Sequence, residues 1–124
     1  MFYNYLRTMP HVVLDGNIDL ESIFEELEPL IIKEDNDIIR TSKKYIEGTR
    51  ASILVESMTI EDGKKSDFLM IIGKRDDGIV IRLSPLLEVE KTTGVKRVLA
   101  ETAKQIMSKH PEYTVSKTNL NEWL

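Results

Sequence analysis

The chain has 124 residues with 17 basic and 21 acidic side chains, which gives a formal net charge of −4. This length fits one domain of ordinary size, so we expect a single domain over residues 1–124. Hydrophobic residues make up 41% and charged residues 31%, which excludes disordered and collagen-like chains. The absence of cysteine excludes disulfide frameworks, cysteine-ligated metals and a thiol nucleophile.

Nothing in the hydropathy pattern indicates a membrane span. The longest apolar run covers residues 68–72, whereas a span needs ~20 apolar residues. Arg7 is the only basic residue before Pro10, and the first residues lack the layout of a signal peptide. We therefore expect a cytoplasmic protein without a membrane partner.

The chain begins with an aromatic segment, residues 1–10, which shows neither the period of a strand nor that of a helix. We predict no element for it. Residues 11–14 predict a short strand, and the small and polar residues 15–17 predict the turn that follows.

A first helix is predicted next. Asp19 can cap its first turn, and Ile18 and Ile23 stand at the positions of a hydrophobic staple. Pro29 disfavours helical geometry at Glu28, so the helix should end there. Its apolar face consists of residues at helical spacing, namely Leu20, Ile23, Phe24 and Leu27.

Residues 30–83 have the composition of strands. The first of these is expected at residues 30–33 or at residues 38–46, because residues 34–37 have the composition of a turn. Residues 51–60 predict a clearer strand, rich in apolar and β-branched side chains.

A hairpin is predicted at the end of this region. Residues 61–66 are interpreted as a polar loop and residues 68–74 as a strand. The residues Asp76-Asp77-Gly78 predict a tight turn, because Asp-Gly tolerates the positive φ that hairpin turns require. Residues 79–83 then form the returning strand.

A second helix is predicted over residues 94–109, capped by Thr92 or Thr93. The tail contains a short extended piece at residues 113–117 and a final turn that presents the single tryptophan, Trp123. The core face of the helix follows helical spacing and consists of Val95, Val98, Leu99, Thr102, Ile106 and Met107.

Together these elements predict an α+β domain of two layers. We expect a curved antiparallel sheet of four to five strands, with two helices packed on one face, in the order β-α-β4-α. The core is expected within residues 11–109, flanked by the aromatic segment and by the tail, residues 112–124.

This order of elements resembles the TATA-binding-protein-like and helix-grip group, over residues 11–109 and as topology only. In that group the sheet binds the DNA minor groove or encloses an apolar ligand, but architecture alone does not transfer function. The overall texture of the sequence also resembles small archaeal proteins of the methanogen type.

The strands leave apolar residues on both faces of the predicted sheet. Leu69, Ile71 and Val80 alternate with the residues expected in the core, so they fall on the side away from the helices. Exposing them would forgo roughly 1.5 to 3 kcal/mol of burial for each side chain. The aromatic segment, the tail with Trp123, a second copy or a ligand could cover them. We favour a non-catalytic protein-interaction module that forms a homodimer through Leu69, Ile71, Val80 and Trp123, with another protein as the alternative partner.

Two alternatives remain open. A small-molecule binding domain or enzyme would place a pocket between the sheet and the second helix, with Tyr45, Arg82 and Thr102 as polar contacts. Sheet-mediated nucleic-acid binding would use Arg50, Arg82 and Lys74, with Tyr45 or Phe68 stacking on bases. The acidic balance of the chain argues against this last hypothesis.

The sequence predicts no catalytic, cofactor-binding or metal-ligating residue and no cofactor. His11 and His110 are the only histidines, and we interpret both as ordinary surface residues. Residues 63–66 match only the end of a phosphate-binding loop and precede a strand instead of a helix. The acidic pairs, such as Asp35 and Asp37, lack the spacing of a calcium loop.

Overall fold

The computed structural model describes residues 9–17 and 19–124. The first eight residues of the predicted aromatic segment and Ile18 of the predicted staple lie outside the described residues. The elements in chain order are β1 (His11–Asp15), α1 (Leu20–Glu26), β2 (Ile31–Glu34), β3 (Asp37–Ile46), β4 (Ser52–Glu61), β5 (Lys64–Arg75), β6 (Gly78–Leu83), α2 (Thr93–Lys109), β7 (Thr114–Thr118) and a short 3-10 helix (Asn121–Trp123).

The predicted α+β class with an antiparallel sheet and two helices is confirmed, but the predicted strand number is wrong. The described residues form one seven-stranded sheet in the order β2-β3-β4-β5-β6-β1-β7. Two strands, β2 and β3, occupy residues 31–46, joined by a turn in which Asp35 has a φ of 52°. The other addition is β7, which the tail contributes as an edge strand beside β1.

The β4–β5 hairpin corrects the predicted loop at residues 61–66. Only Asp62 and Gly63 form the turn, with φ values of 52° and 77°. Two consecutive residues with positive φ are typical of the tight hairpin turn whose twist matches that of the flanking strands. Pairing therefore continues to the end of the hairpin, where Glu61 lies opposite Lys64.

The β5–β6 hairpin is confirmed, but its glycine has another role than the one we predicted. Asp76 and Asp77 form the turn, and Gly78 is already the first residue of β6, opposite Asp15. A Cβ atom on Gly78 would lie 1.8 Å from the Leu14 carbonyl oxygen. Glycine is required there because β1 approaches closely.

Both helices begin at the predicted caps. The Asp19 side chain accepts a hydrogen bond from the Glu21 N–H, and Thr92 Oγ1 accepts one from the Val95 N–H. The carboxylate at the end of β4 adds to the second cap. Glu61 accepts from the Thr92 hydroxyl at 2.6 Å and from the Gly94 N–H at 2.8 Å. An anion at this position also complements the helix dipole.

The core lies between the helices and one face of the sheet. The tail belongs to this core, since Tyr113 and Leu120 are 5% and 1% exposed, so the core extends beyond the predicted residues 11–109. Strand residues at the centre of the core include Val12, Leu14, Ile53, Val55, Phe68, Met70, Ile72, Ile79 and Ile81. Helix residues packed on them include Leu20, Ile23, Val95, Val98, Leu99 and Ile106.

A bidentate ion pair ties the edge strand β2 to α2. Arg97 Nη1 lies 2.9 Å from Glu34 Oε2, and Nη2 lies 3.0 Å from Oε1. The hydrogen bonds and the charge of this guanidinium hold the pKa of the Glu34 carboxyl below its ordinary value. Because the folded-state pKa is lowered, the stability that this pair contributes is present above the ordinary carboxyl pKa. It is lost as the pH falls through the folded-state pKa.

We expect Arg97→Gln to raise the pKa of Glu34 towards that of a free glutamate, since both causes of its lowering are removed. An NMR titration that follows the side-chain carboxyl carbons measures this change. The control is Lys104→Gln, which breaks the Lys104–Glu101 pair on the same helix. If Glu34 has the same pKa in the wild type and in Arg97→Gln, Arg97 is not the cause of the lowered pKa.

Candidate functional site

The sheet face opposite the helices, here called the outer face, carries half of the strand side chains. On β5, Phe68 and Met70 point into the core and are 2% and 0% exposed. Leu69 and Ile71 alternate with them and are half-buried on the outer face. Register places Ile71 opposite Leu54 on β4, and Gly73 opposite Val80 on β6.

These residues form an apolar patch that spans three neighbouring strands. The patch consists of Leu54, Leu69, Ile71 and Val80, all half-buried. It includes three of the four residues predicted for an interface. The fourth, Trp123, is not part of it. Trp123 lies near Leu120 on the helix side of the sheet, where it packs against the core.

The predicted pocket residues are divided between two cavities. Tyr45 and Thr102 line a helix-side cavity of about 300 Å³ between β3, α2 and the connection that follows α1. Arg82 lies on β6 and lines a different cavity, on the outer face. Tyr45 and Thr102 border the same cavity, but their side chains lie on opposite faces of the sheet, so the structure does not bring the three predicted polar contacts together.

The polar groups around the helix-side cavity are largely engaged within the protein. The Thr102 hydroxyl donates to the Val98 carbonyl oxygen at 2.8 Å. Gln105 accepts from the Glu28 N–H at 2.8 Å and donates to the Glu28 carbonyl at 3.1 Å. The remaining lining includes Leu27, Val55 and Met70. This cavity is suited to an apolar group.

Tyr45 itself points to the outer face. Its hydroxyl donates to Glu56 Oε2 at 2.8 Å. This hydrogen bond to a carboxylate is the main reason why the pKa of the Tyr45 phenol is raised above its ordinary value. Tyr45 is therefore a neutral hydrogen-bond donor, and its proton is already engaged.

The outer-face cavity has a volume of about 340 Å³. It lies where β6, β1 and β7 run side by side, with Arg82 opposite His11 and Val80 opposite Val13. Its described lining consists of Met9, His11, Val13, Arg75, Val80, Arg82, Leu83 and Lys117. Val13, Arg75 and Lys117 are additions to the predicted site residues, and the only signal for them in the sequence is the alternation of His11 and Val13 along β1.

The residues predicted to contact nucleic acid do not share one face. Arg50 lies beside α1, where its Nε is 2.6 Å from Glu21 Oε1. Phe68 is in the core and cannot stack on a base. Lys74 alternates with Gly73 and Arg75 on β5, so it falls on the other side of the sheet from Arg82.

The two histidines have different surroundings. His11 is 8% exposed, which corrects its interpretation as a surface residue. Its Nδ1 lies 2.8 Å from the Met9 carbonyl oxygen, so this nitrogen carries the donated proton. The His110 Nε2 lies 2.5 Å from Glu26 Oε2, and its ring stacks on Tyr113. Within residues 9–17 and 19–124, no three side chains of metal-ligating type come together.

None of the helices in the described part of the chain combines the length and the apolar character needed to cross a bilayer. The likeness to the TATA-binding-protein-like and helix-grip group stays a prediction. Comparison of the chain with protein-family models, with curated proteins and with solved structures finds no significant match.

Proposed function

We propose that this chain is a non-catalytic interaction module that forms a homodimer through the apolar patch of the outer face. The observation that carries the proposal is the position of Leu54, Leu69, Ile71 and Val80. They are contiguous across three strands, on the face that neither helix covers. Complete burial of such a side chain contributes roughly 1.5 to 3 kcal/mol, and each of the four is only half-buried in one copy.

A second copy suits the shape of this face. The patch is centred on β5, the middle strand of the sheet order β2-β3-β4-β5-β6-β1-β7. Two sheets that pack face to face in an aligned arrangement bury most of their surface when their middle strands overlap. A twofold axis near β5 would place the same apolar residues of both copies in contact, as a closed isologous dimer requires.

We expect the double substitution of Leu69 and Ile71 to aspartate to convert the dimer to a monomer. Unpaired carboxylates at the centre of the contact would weaken association by about 3 kcal/mol or more, which is more than a hundredfold in the dissociation constant. Native mass spectrometry reports the change in mass, and circular dichroism should remain that of the wild type, because neither side chain belongs to the core.

The matched control is Leu86→Asp, since Leu86 is 71% exposed in the loop between β6 and α2. This variant should remain dimeric. A wild-type protein that is monomeric at micromolar concentrations would contradict the proposal. Unfolding of the double variant would contradict the placement of both side chains on the outer face.

The helix-side cavity supports a second candidate, a small-molecule binding domain. Its volume of about 300 Å³ is at the lower end of known ligand sites, and its lining includes Leu27, Val55, Met70 and Thr102. An apolar molecule held there would appear in the same native mass spectrum as extra non-covalent mass on each copy. A spectrum of the bare protein that stays unchanged after incubation with apolar compounds would contradict it.

A further inference from the structure

The outer-face cavity has an apolar floor and a cationic rim. Val13 and Val80 lie opposite each other in register and form the floor, and Val13 is 5% exposed. Lys117 on β7 lies opposite Val13 from the other side, and Arg82 on β6 lies two residue pairs away on the same face, opposite His11. The basic side chains of three strands therefore converge on one apolar surface.

The cations of this rim form no direct ion pair with any described carboxylate. Arg75, Arg82 and Lys117 form no ion pair and no side-chain hydrogen bond among the described residues. Some cations of the chain are paired, such as Arg50 with Glu21, and others, such as Arg40, are exposed and unpaired. What distinguishes this rim is that three unpaired cations line one cavity. A half-buried guanidinium such as Arg82 gains most from a charge-assisted hydrogen bond to an oxyanion.

The wall formed by β1 is held rigidly in place. The His11 N–H donates to Asn119 Oδ1 at 3.1 Å, and the Thr118 hydroxyl donates to the His11 carbonyl at 2.7 Å. The Asn119 amide also donates to the Met9 carbonyl at 3.0 Å. Because His11 Nδ1 donates to that same carbonyl, Nε2 is the ring nitrogen free for another partner. A preorganised wall lowers the entropic cost of binding.

Three carboxylates lie near one end of the rim. Asp15, Asp76 and Asp77 line a smaller cavity of about 160 Å³ that shares Arg75 with the outer-face cavity. None of them is paired with Arg75, but they lower the positive potential at that end. The strongest attraction for an anion is therefore at Arg82 and Lys117.

We propose that the outer-face cavity binds a small amphipathic anion, a carboxylate with an apolar or aromatic body. Its head group would lie at Arg82 and Lys117, since the guanidinium fork matches the two oxygens of a carboxylate. Its body would lie on Val13 and Val80. The volume of about 340 Å³ is within the range of small-ligand sites. Val80 also belongs to the apolar patch, so the ligand would bind a single copy and compete with the homodimer for this side chain.

The test is isothermal titration calorimetry with naphthoate at low salt, on the full chain. The wild type should bind naphthoate, and Arg82→Gln should weaken binding by about tenfold or more, since a hydrogen bond to a charged group contributes about 1.5 to 3 kcal/mol. The matched control is Arg40→Gln, which removes an exposed cation from β3 on the same face, opposite Met58. It should change the dissociation constant by less than about twofold, because a distant exposed charge is screened.

Two further probes test the two parts of the ligand. The neutral analogue naphthalenemethanol should bind the wild type about tenfold more weakly than naphthoate, and should bind Arg82→Gln and the wild type equally. Inorganic phosphate should bind more weakly than naphthoate, since it has no body to place on the floor. No naphthoate binding in the millimolar range would overturn the proposal, as would equal losses in Arg82→Gln and Arg40→Gln. If phosphate binds as tightly as naphthoate, the proposed contact of an apolar ligand body with Val13 and Val80 is wrong.

Repeating the titration on Leu69→Asp separates this proposal from the homodimer. Leu69 is in the apolar patch and is not part of the cavity lining. Naphthoate binding that is retained or tighter in a monomeric Leu69→Asp variant would support the site, because the homodimer would cover Val80. Binding that disappears together with the dimer would overturn its assignment to the cavity of a single copy.

Discussion

Replacing Gly78 with alanine is expected to lower the free energy of unfolding by about 3 kcal/mol or more. The added Cβ would lie 1.8 Å from the Leu14 carbonyl oxygen and 2.9 Å from the Leu14 carbonyl carbon. These are backbone atoms of the neighbouring strand, so no side-chain rotation can relieve the overlap. The pairing of β6 with β1 has to open instead, and β1 carries two fully buried core residues, Val12 and Leu14.

Urea denaturation of the purified variant measures this loss. The matched control is Gly73→Ala, because Gly73 is also a strand glycine and lies one strand away on β5. An added Cβ there would meet only the Val80 side chain, at an ordinary contact distance of 3.6 Å. We expect this control to be neutral or to gain up to about 1 kcal/mol. Equal stability of Gly78→Ala and the wild type would show that the two strands are farther apart than described.

Replacing Phe68 with alanine is expected to destabilise the fold by about 3 to 5 kcal/mol. Phe68 is 2% exposed and is among the largest side chains of the core. Its removal leaves a cavity in the core in addition to the lost transfer free energy. For a domain whose stability is about 5 to 15 kcal/mol, this is a large fraction of the whole. Thermal and urea denaturation both report it.

The adjacent residue provides the control, since Leu69 and Phe68 differ mainly in the face on which they lie. Leu69→Ala should cost less than Phe68→Ala, about 1 to 2 kcal/mol in the free energy of unfolding of one copy, because part of the Leu69 side chain stays exposed. A larger loss for Leu69→Ala than for Phe68→Ala would reverse the assignment of the two faces. The homodimer proposal would then lose its basis as well.

The helices were predictable because their signals are local. Asp19 and Thr92 are caps that act within three residues of themselves, and both act as predicted. The turn at Asp62 and Gly63 was hard to predict because polar residues surround it. Lys64 and Lys65 have the composition of a loop, although both are paired with β4 in the sheet. Charged residues are common at exposed strand ends, so composition alone could not place this turn.

The outer face was predictable only where the alternation of residues within a single strand indicates it. Leu69 and Ile71 alternate with core residues on β5, so the sequence indicated a second apolar face. The cationic cavity depends instead on three strands that are distant in sequence, and it forms because β1 lies between β6 and β7. The register that places Arg82 beside His11 and Lys117 beside Val13 is a long-range property. For the same reason Trp123 could not be placed, since its position depends on Leu120 entering the core.

The central position of β1 has a consequence for how the chain acquires its structure. Both partners of β1 come later in the sequence, since His11 pairs with Arg82 and Val12 pairs with Thr118. Contacts so distant in sequence slow folding, because a large loop must close before any pairing stabilises it. During synthesis β1 leaves the ribosome before either of its partners and is among the last of the described strands to be paired. Its apolar residues Val12, Val13 and Leu14 then form an unpaired strand, the kind of segment that chaperones bind and that aggregates when they do not.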